Sequence, residues 1–342
     1  MIHDILLLNY KNLCVKTNKT GEIFMAQFVA LGELLIDFIQ YGESENQNTL
    51  YEANPGGAPG NFLAMTNKLG NSSSFIGKVG NDAFGKQLEE TLICAGLNTE
   101  GLIKSDDYHT TLAFVHHDSH GDRSFTFYRE ADAYINEEDI KESLFDNKDV
   151  FHFGTLSMTN ETCKAATMKA IKIAQDKKLL ISFDPNLRKN LWDDLGKARK
   201  AFIEGFKVCN VLKIADNELQ WFTGIDNFDD AIKSFRNEYP TIGLIFLTLG
   251  KDGSSAYYKN IKITVPTFLE VPCVDTTGAG DSFMGSAMNC VISFGFNNLN
   301  ENNLKETLLF ANAAASIVAS RKGVIKSLPT IEEIETLKAT AK

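Results

Sequence analysis

The feature that most constrains the fold is a regular alternation of short apolar runs with amphipathic stretches. The apolar runs predict strands at residues 28–38, 74–79, 111–117, 150–153, 179–183, 211–214, 242–249 and 261–265. The amphipathic stretches predict helices at residues 61–69, 83–95, 161–178, 196–205, 217–223, 228–239, 281–294 and 304–320. Apolar strands that alternate with helices are typical of βαβ units. We therefore predict an α/β fold, in which helices cover both faces of a mostly parallel sheet.

Two segments interrupt this alternation. Residues 40–55 are polar, and residues 108–134 resemble a β-hairpin with its turn at 119–122. Together they predict a small sheet beside the main domain, with segments near 38–56 and 108–134. The pattern alone fits a lid over a ligand site and a plain surface hairpin equally well.

The first 24 residues differ in character from the rest. The apolar, strand-like pattern starts after Met25, so we expect residues 1–24 to be an appendage and residues 25–342 to form the folded domain. No run approaches the ~20 apolar residues of a membrane helix. The N-terminus also lacks the basic start and cleavage site of a signal peptide. With six cysteines and no CxxC pair, the sequence favours a cytoplasmic protein with reduced thiols.

The net charge of −10 argues against a protein that binds nucleic acid through its bulk charge, because such binding needs clustered lysine and arginine. The six histidines show no metal-ligand spacing, and no GxSxG motif is present. Zinc catalysis and hydrolase triads therefore have no support from the sequence.

The strongest motif is DTTGAGDSF at residues 275–283, a glycine-rich turn that leads into a predicted helix. Gly278 and Gly280 allow close backbone approach, and successive N–H groups at a helix start can bind an anion. Asp281 lies at this helix N-terminus, which should stabilise its carboxylate and make it a weak base. A weak base suits phosphoryl transfer, where the attacking hydroxyl loses its proton late. An ordinary N-cap aspartate is an equally good interpretation.

Three further motifs have both a structural and a functional interpretation. In GGAPGN, residues 56–61, Asn61 either caps a helix or binds a hydroxyl. Asp37, at the end of an apolar run, is either a turn residue or an acceptor for sugar hydroxyls. In SFDPNLR, residues 182–188, Asp184 and Arg188 either form an ion pair, which the segment alone favours, or Arg188 reaches a phosphate.

These motifs together resemble the ribokinase-type (PfkB) family of carbohydrate kinases over residues 25–329. The family signatures are matched by GGAPGNFLAMTNKLG with GKVGNDAFG, and by DTTGAGDSFMG. Within the family, GGAP, the hairpin end RSFTFYR and SFDPNLRKNLW are most similar to fructokinases. The resemblance implies a ribokinase-like three-layer α/β/α fold with a small β-sheet lid. It also implies ATP-dependent phosphorylation of a sugar hydroxyl, with Mg²⁺ bound beside ATP.

The resemblance also assigns expected roles to individual residues. Asp281 matches the catalytic base, and the anion hole is matched by Gly278, Ala279 and Gly280. Substrate positions are matched by Asp37, Gly56, Gly57, Asn61, Arg129, Asp132 and Arg188. Nucleotide positions are matched by Lys213, Glu218, Thr248, Gly250, Gly253 and Asn312. A monovalent-cation loop, as in members activated by potassium, is matched by Asp275, Thr277, Gly323 and Ser327, while Glu218 matches an indirect Mg²⁺ position.

The chain departs from the family pattern at two places. The Asn-x-x-Glu motif has Ala215 at its first position and keeps Glu218, and the segment between Arg129 and Asp132 is short for a fructokinase. The expected reaction is D-fructose to fructose 6-phosphate. Alternatives are a 2-keto-3-deoxygluconate kinase, another small sugar or nucleoside kinase, or a non-catalytic sugar-binding protein. The expected partners are a small sugar and ATP, without nucleic acid or membrane, and a homodimer through the lid is plausible.

Overall fold

The computed structural model describes residues 25–117 and 123–341. The predicted appendage at residues 1–24 and the predicted turn at 119–122 lie outside this part of the chain. The described strands are β1 (Gln27–Leu31), β2 (Leu35–Glu43), β3 (Thr49–Gly56), β4 (Ser72–Gly80), β5 (Asn98–Ser105), β6 (Leu112–His117), β7 (Arg123–Tyr128), β8 (Val150–Phe153), β9 (Leu180–Phe183), β10 (Val211–Ala215), β11 (Leu244–Thr248), β12 (Ser254–Tyr258) and β13 (Ile261–Val265).

Nine of these strands form the central sheet, in the order β13-β12-β11-β10-β9-β8-β1-β4-β5. Neighbouring strands from β11 to β5 run parallel, whereas β12 and β13 add an antiparallel edge. The mostly parallel sheet predicted from the sequence is confirmed.

Helices cover both faces of the central sheet. They are α1 (Ala58–Lys68), α2 (Ala83–Cys94), α3 (Glu161–Asp176), α4 (Leu195–Val208), α5 (Asp216–Thr223), α6 (Phe228–Glu238), α7 (Ala279–Phe294), α8 (Glu301–Ala319) and α9 (Ile331–Lys338). Alternate strand residues enter two separate cores, as in β1, where Phe28 and Ala30 face α1, α7 and α8, and Val29 faces α3 and α4. This is the three-layer α/β/α arrangement.

A second, smaller sheet has the order β3-β2-β6-β7. Strand β2 pairs antiparallel with β3 and parallel with β6, which pairs antiparallel with β7. The two segments that interrupt the helix–strand alternation therefore do form one small sheet, as the sequence predicts.

The single strand predicted at residues 28–38 is wrong, because the chain changes sheets within it. Strand β1 belongs to the central sheet and β2 to the small sheet. The break falls at Gly32, whose N–H donates to the carbonyl of Ile76 at 3.1 Å, and a Cβ there would lie 2.6 Å from Cγ of Pro59. Asp37 consequently lies inside β2 rather than at the end of a central strand.

Helix starts also differ from the sequence-based expectations. Helix α1 begins at Ala58 after the N-cap Gly57, and α7 begins at Ala279 after the N-cap Gly278. Asn61 and Asp281 are therefore not caps but lie within the first turn or just after it. Within residues 25–117 and 123–341, no helix is long and apolar enough to cross a membrane.

Candidate active site

A cavity of about 360 Å³ lies between the small sheet and the ends of the central strands. It sits where β1 and β9 end, which is where open α/β sheets place their ligands. Its lining residues are Glu33, Leu35, Asp37, Gly57, Ala58, Asn61, Phe127, Leu156, Asn186, Arg188, Lys213, Thr276, Thr277, Gly278, Gly280 and Asp281.

The N-terminus of α7 forms one wall of this cavity. Gly278 adopts a left-handed conformation with φ of 72°, and a Cβ at this position would overlap the side chain of Val324. A larger residue is therefore excluded both by conformation and by space. The N–H groups at this helix start, together with the helix dipole, make the wall attractive to an anion.

Asp281 is the third residue of α7 and is tied to α1. Nδ2 of Asn61 donates to Oδ2 of Asp281 at 2.8 Å. Loss of solvent raises the pKa of Asp281 to about 6, although Asn61, Lys213 and Arg188 act in the opposite direction. This upward shift is opposite to the direction expected from the helix N-terminus, and burial is its largest cause.

Asp37 reaches the same cavity from the small sheet. Loss of solvent raises its pKa to about 7, opposed by Arg188 and reinforced by Asp275 and Asp281. Gly56, opposite β2 on β3, leaves room for this carboxylate, since a Cβ there would overlap Oδ2 of Asp37. Gly56 thus supports the cavity without lining it.

A buried charged cluster lies beneath the cavity. Nζ of Lys213 donates to Oδ2 of Asp184 at 2.7 Å, and both side chains are less than 10% exposed. Burial alone would lower the pKa of Lys213, but Asp184 and Glu218 outweigh it, so that pKa is raised and the ammonium is retained. A Cβ on Gly280 would come within 3.1 Å of Nζ. The ammonium therefore lies directly under the start of α7.

Glu218 is held by backbone groups. Its oxygens accept the N–H of Leu187 at 2.6 Å and the N–H of Ala215 at 2.9 Å. Burial raises the pKa of Glu218, while Lys213 opposes that shift. The carboxylate thus joins the loop after β9 to the start of α5.

Arg188 lines the cavity and is oriented by Asn186, whose Oδ1 accepts from its Nη1 at 2.6 Å. Asn186 has a φ of 48°, a left-handed conformation that asparagine tolerates better than most residues. Asp184 pairs with Lys213 instead. The proposed ion pair between Asp184 and Arg188 is therefore wrong.

Arg129 and Asp132 are close to each other but do not line the cavity. Nη2 of Arg129 lies 2.8 Å from Oδ2 of Asp132, and the carboxylate is almost fully buried. Nη2 also donates to the carbonyl of Leu156 at 2.6 Å. In this structure the pair anchors the segment after β7 to the loop after β8.

The predicted nucleotide positions at the β11–β12 turn form a separate group. Thr248 ends β11, and Gly250 and Gly253 flank the following turn. Asn312 of α8 accepts from Oγ of Ser254 at 2.8 Å and donates to the carbonyl of Val265 at 3.2 Å. Asn312 therefore fixes the turn to its neighbouring strands.

The predicted cation-loop residues also lie together. Asp275, Thr277 and Gly323 line a second cavity, of about 140 Å³, between the loop and β2. Oδ1 of Asp275 accepts from the N–H of Thr277 at 2.9 Å, and Ser327 donates to the carbonyl of Lys322 at 2.6 Å. Across the described chain, no group of three or more histidine, cysteine, aspartate or glutamate side chains could hold a metal ion.

Glu33 and Asn186 are among the cavity residues that no sequence motif singled out. Glu33 is only 4% exposed. A carboxylate inside the apolar segment GELLIDF was the available signal, because burial of an acid needs a specific partner. The role of Asn186 depends on its backbone conformation, which the sequence does not reveal.

Comparison with known proteins agrees with this geometry. The model of the pfkB family carbohydrate kinases matches residues 25–331. Fructokinase-1 of Oryza sativa subsp. japonica is 36% identical over 316 residues, covering 91% of this chain and 96% of the relative. A Xylella fastidiosa fructokinase structure with bound ATP has a TM-score of 0.82 at 26% identity, covering 91% of this chain and 97% of that one. A Vibrio cholerae O395 fructokinase structure with fructose, ADP and calcium also has a TM-score of 0.82, at 28% identity over 92% and 99% of the two chains.

The fold is that of a sugar kinase. The chain belongs to the pfkB family of carbohydrate kinases and is an ATP-dependent sugar kinase.

Proposed function

We propose that this protein transfers the γ-phosphoryl group of ATP to D-fructose, giving fructose 6-phosphate. The observation that carries the proposal is the position of Asp281. Its carboxylate lies at the amide-lined start of α7, hydrogen-bonded to Asn61, in the cavity that Asp37 also reaches. The similarity to fructokinases from several organisms supports fructose as the substrate.

The sugar would bind between β2 and α1. Asp37 can accept two hydroxyl hydrogen bonds, and Gly57 leaves the backbone open to the ligand. Asn61 uses Nδ2 for Asp281, whereas its buried Oδ1 accepts no hydrogen bond from the described residues. A sugar hydroxyl could donate to this oxygen, which would place the sugar beside the carboxylate of Asp281.

In the reaction, Asp281 would accept the proton of the attacking hydroxyl while that oxygen bonds to the γ-phosphorus. The bond from phosphorus to the β–γ bridging oxygen breaks, and ADP leaves. The N–H groups of Gly278 and Gly280 would stabilise charge on the transferring group, and Lys213 lies directly beneath them. The N–H of Ala279 donates to the carbonyl of Thr276 at 3.2 Å and would join them by exchanging that acceptor for a phosphoryl oxygen. Arg188 would hold phosphate or substrate oxygens from the opposite side.

The nucleotide would extend from α7 toward Thr248, Gly250, Gly253 and Asn312. A divalent ion carried by ATP supplies charge neutralisation of the phosphates. Glu218 already accepts two backbone N–H groups, and the described residues contain no acidic cluster that could hold a metal ion. They therefore fit a metal that keeps most of its water and phosphate ligands. We assign Mg²⁺ to this role, with Glu218 acting indirectly, and potassium to the loop of Asp275, Thr277, Gly323 and Ser327.

The small sheet would act as a lid and as a dimer interface. Its face away from the cavity carries Phe38, Tyr51, Phe114 and Tyr128 in mutual ring contact. Tyr128 is 60% exposed, so the face offers aromatic surface to a second copy. Sedimentation should show a dimer that Tyr128→Glu weakens; a wild-type monomer at micromolar concentration would refute this interface.

The test of the function is a substrate panel with coupled detection of ADP, with and without potassium. D-fructose should give the highest kcat/KM among fructose, 2-keto-3-deoxygluconate, aminoimidazole riboside and nucleosides. A preference for the sugar acid would favour the alternative kinase, with Arg188, which lines the cavity, on the carboxylate. Sugar binding without ADP formation would instead indicate a non-catalytic sugar-binding protein.

The pH dependence follows from the ionisation of Asp281. A base must be deprotonated, and with a pKa of about 6 its active fraction grows as the pH rises through 6. Asp37, with a pKa of about 7, faces the same cavity, as do Arg188 and Lys213. Because Asp37 also binds the sugar as a carboxylate, we expect kcat/KM for fructose to increase from pH 5 to about 8 and then level off.

Asn61→Leu tests whether the ionisation of Asp281 sets the pH dependence. It removes the donor that lowers the pKa of Asp281, so the midpoint of the profile should move to higher pH. Asn297→Leu, at an exposed position, should leave the profile unchanged. An unchanged midpoint in Asn61→Leu would contradict the assignment.

A further inference from the structure

Glu33 is a buried carboxylate at the crossing between the two sheets, and the proposed reaction leaves it without a role. It lies in the link of residues 32–34 that carries the chain from β1 into β2. Its Oε1 accepts the N–H of Ala58 at 2.8 Å. Ala58 begins α1, and only Gly57 lies between it and the end of β3. The side chain of Glu33 therefore joins the link that enters the β2–β3 hairpin, residues 32–34, to the link that leaves it, at Gly57 and Ala58.

The two links are packed in direct contact. A Cβ on Gly57 would overlap the backbone carbonyl oxygen of Glu33, and a Cβ on Gly32 would press on the ring of Pro59. The spacing between the links is therefore fixed on one side by van der Waals contact and on the other by the hydrogen bond of Glu33. Loss of that bond would leave the N–H of Ala58 without its partner in a closely packed site.

Polar and charged groups surround Glu33, but most of them are bonded to other residues. Burial raises the pKa of Glu33 to about 7, while the N–H of Ala58 and, more weakly, Arg129 favour the ionised form. Arg129 is engaged by Asp132. The hydrogen bond to Ala58 is therefore the main specific anchor of this carboxylate.

We propose that Glu33 is a positioning residue for the sugar side of the active site. It fixes Gly57 and Ala58 relative to β2, and through them it sets the distance between Asp37 and Asn61. Asn61 follows one helical turn later, with its N–H donating to the carbonyl of Gly57 at 3.0 Å. This inference rests on the proposed binding of the sugar between β2 and α1.

If Glu33 positions the sugar side of the cavity, its removal should affect the KM for fructose and not the KM for ATP. The groups held by Glu33 lie on the sugar side of the cavity, whereas Thr248, Gly250 and Asn312 are held by other contacts. Removal of the acceptor should therefore raise the KM for fructose and leave the KM for ATP nearly unchanged. A side chain that merely contributed stability would not separate the two substrates.

The experiment compares Glu33→Ala with Glu33→Gln. The amide of glutamine keeps an acceptor oxygen of similar shape, so it should retain the bond to Ala58, whereas alanine removes it. We expect Glu33→Ala to raise the KM for fructose about tenfold and to change the KM for ATP less than about twofold. Glu33→Gln should stay within about threefold of wild type. Glu90→Ala, at an exposed position of α2, is the control.

A second measurement covers the case in which Glu33→Ala folds poorly. The shift of the thermal midpoint caused by D-fructose alone reports sugar binding without turnover. It should be smaller in Glu33→Ala than in Glu33→Gln. Equal effects on both substrates, an unchanged KM for fructose, or a glutamine variant as impaired as the alanine variant would each overturn the proposal.

This outcome is separable from failure of the proposed function. If the wild-type protein does not phosphorylate fructose, the assigned substrate is wrong. If it does so and the two Glu33 variants behave alike, only the positioning role is wrong.

Discussion

Replacing Asp281 with asparagine is expected to lower kcat with ATP and fructose by about three orders of magnitude. A positioned general base contributes about 10²–10⁴-fold, and asparagine cannot accept the hydroxyl proton. The substituted amide would have nearly the same shape as the carboxylate and could still pair with Asn61, so fold and sugar binding should persist. The KM for fructose should therefore change much less than kcat.

The matched control is Asp193→Asn, because Asp193 is 97% exposed and does not line the cavity. It should keep wild-type kcat. If Asp281→Asn kept kcat within tenfold of wild type while both variants melted at the wild-type temperature, Asp281 would not be the base.

Replacing Lys213 with methionine should have the largest effect on stability. The substitution leaves the buried carboxylates of Asp184 and Glu218 without the ammonium that compensates them. Removing one partner of a buried ion pair costs about 3–5 kcal/mol, and here two acids depend on the same cation. Urea denaturation should show a corresponding loss in the free energy of unfolding.

Two further variants separate charge compensation from lost packing. Lys172→Met removes an i,i+4 pair with Asp176 in which the lysine is 67% exposed, and it should cost less than about 1 kcal/mol. Asp184→Asn added to Lys213→Met should restore part of the lost stability. A loss below about 1 kcal/mol in Lys213→Met would mean that the cluster does not depend on its cation.

Periodicity was sufficient to predict the parallel sheet and its helices, but not the point where the chain changes sheets. Residues 28–38 form one mostly apolar run, because both β1 and the first residues of β2 are buried. Tertiary contacts of Gly32 with the carbonyl of Ile76 and the ring of Pro59 mark the point where the two strands separate. Strands β5 and β12 were not predicted, and β3 was predicted only as part of the polar segment of the small sheet, since most of its residues are partly or fully exposed.

The membership of the site was easier to predict than its electrostatics. Motifs place Asp37, Asn61, Arg188, Gly278 and Asp281 in one cavity, and the structure brings them together. A local argument from the helix dipole nevertheless gives the wrong direction for the pKa of Asp281. The missing contribution is the solvent excluded by α1 and the small sheet, which are distant in sequence. The hydrogen bond of Arg129 to the carbonyl of Leu156, 27 residues further along the chain, is a tertiary effect of the same kind.

The parallel pairing of β2 with β6 has a consequence for the order of folding. It joins Ile36 to Leu112, and among the described strands it is the only pairing between the two hairpins of the small sheet. An isolated hairpin is marginally stable in water, and contacts between distant residues form late because closing a long loop costs entropy. During synthesis, the wall of the cavity formed by the small sheet therefore stays incomplete until the second hairpin has emerged, although β1 and α1 are already available.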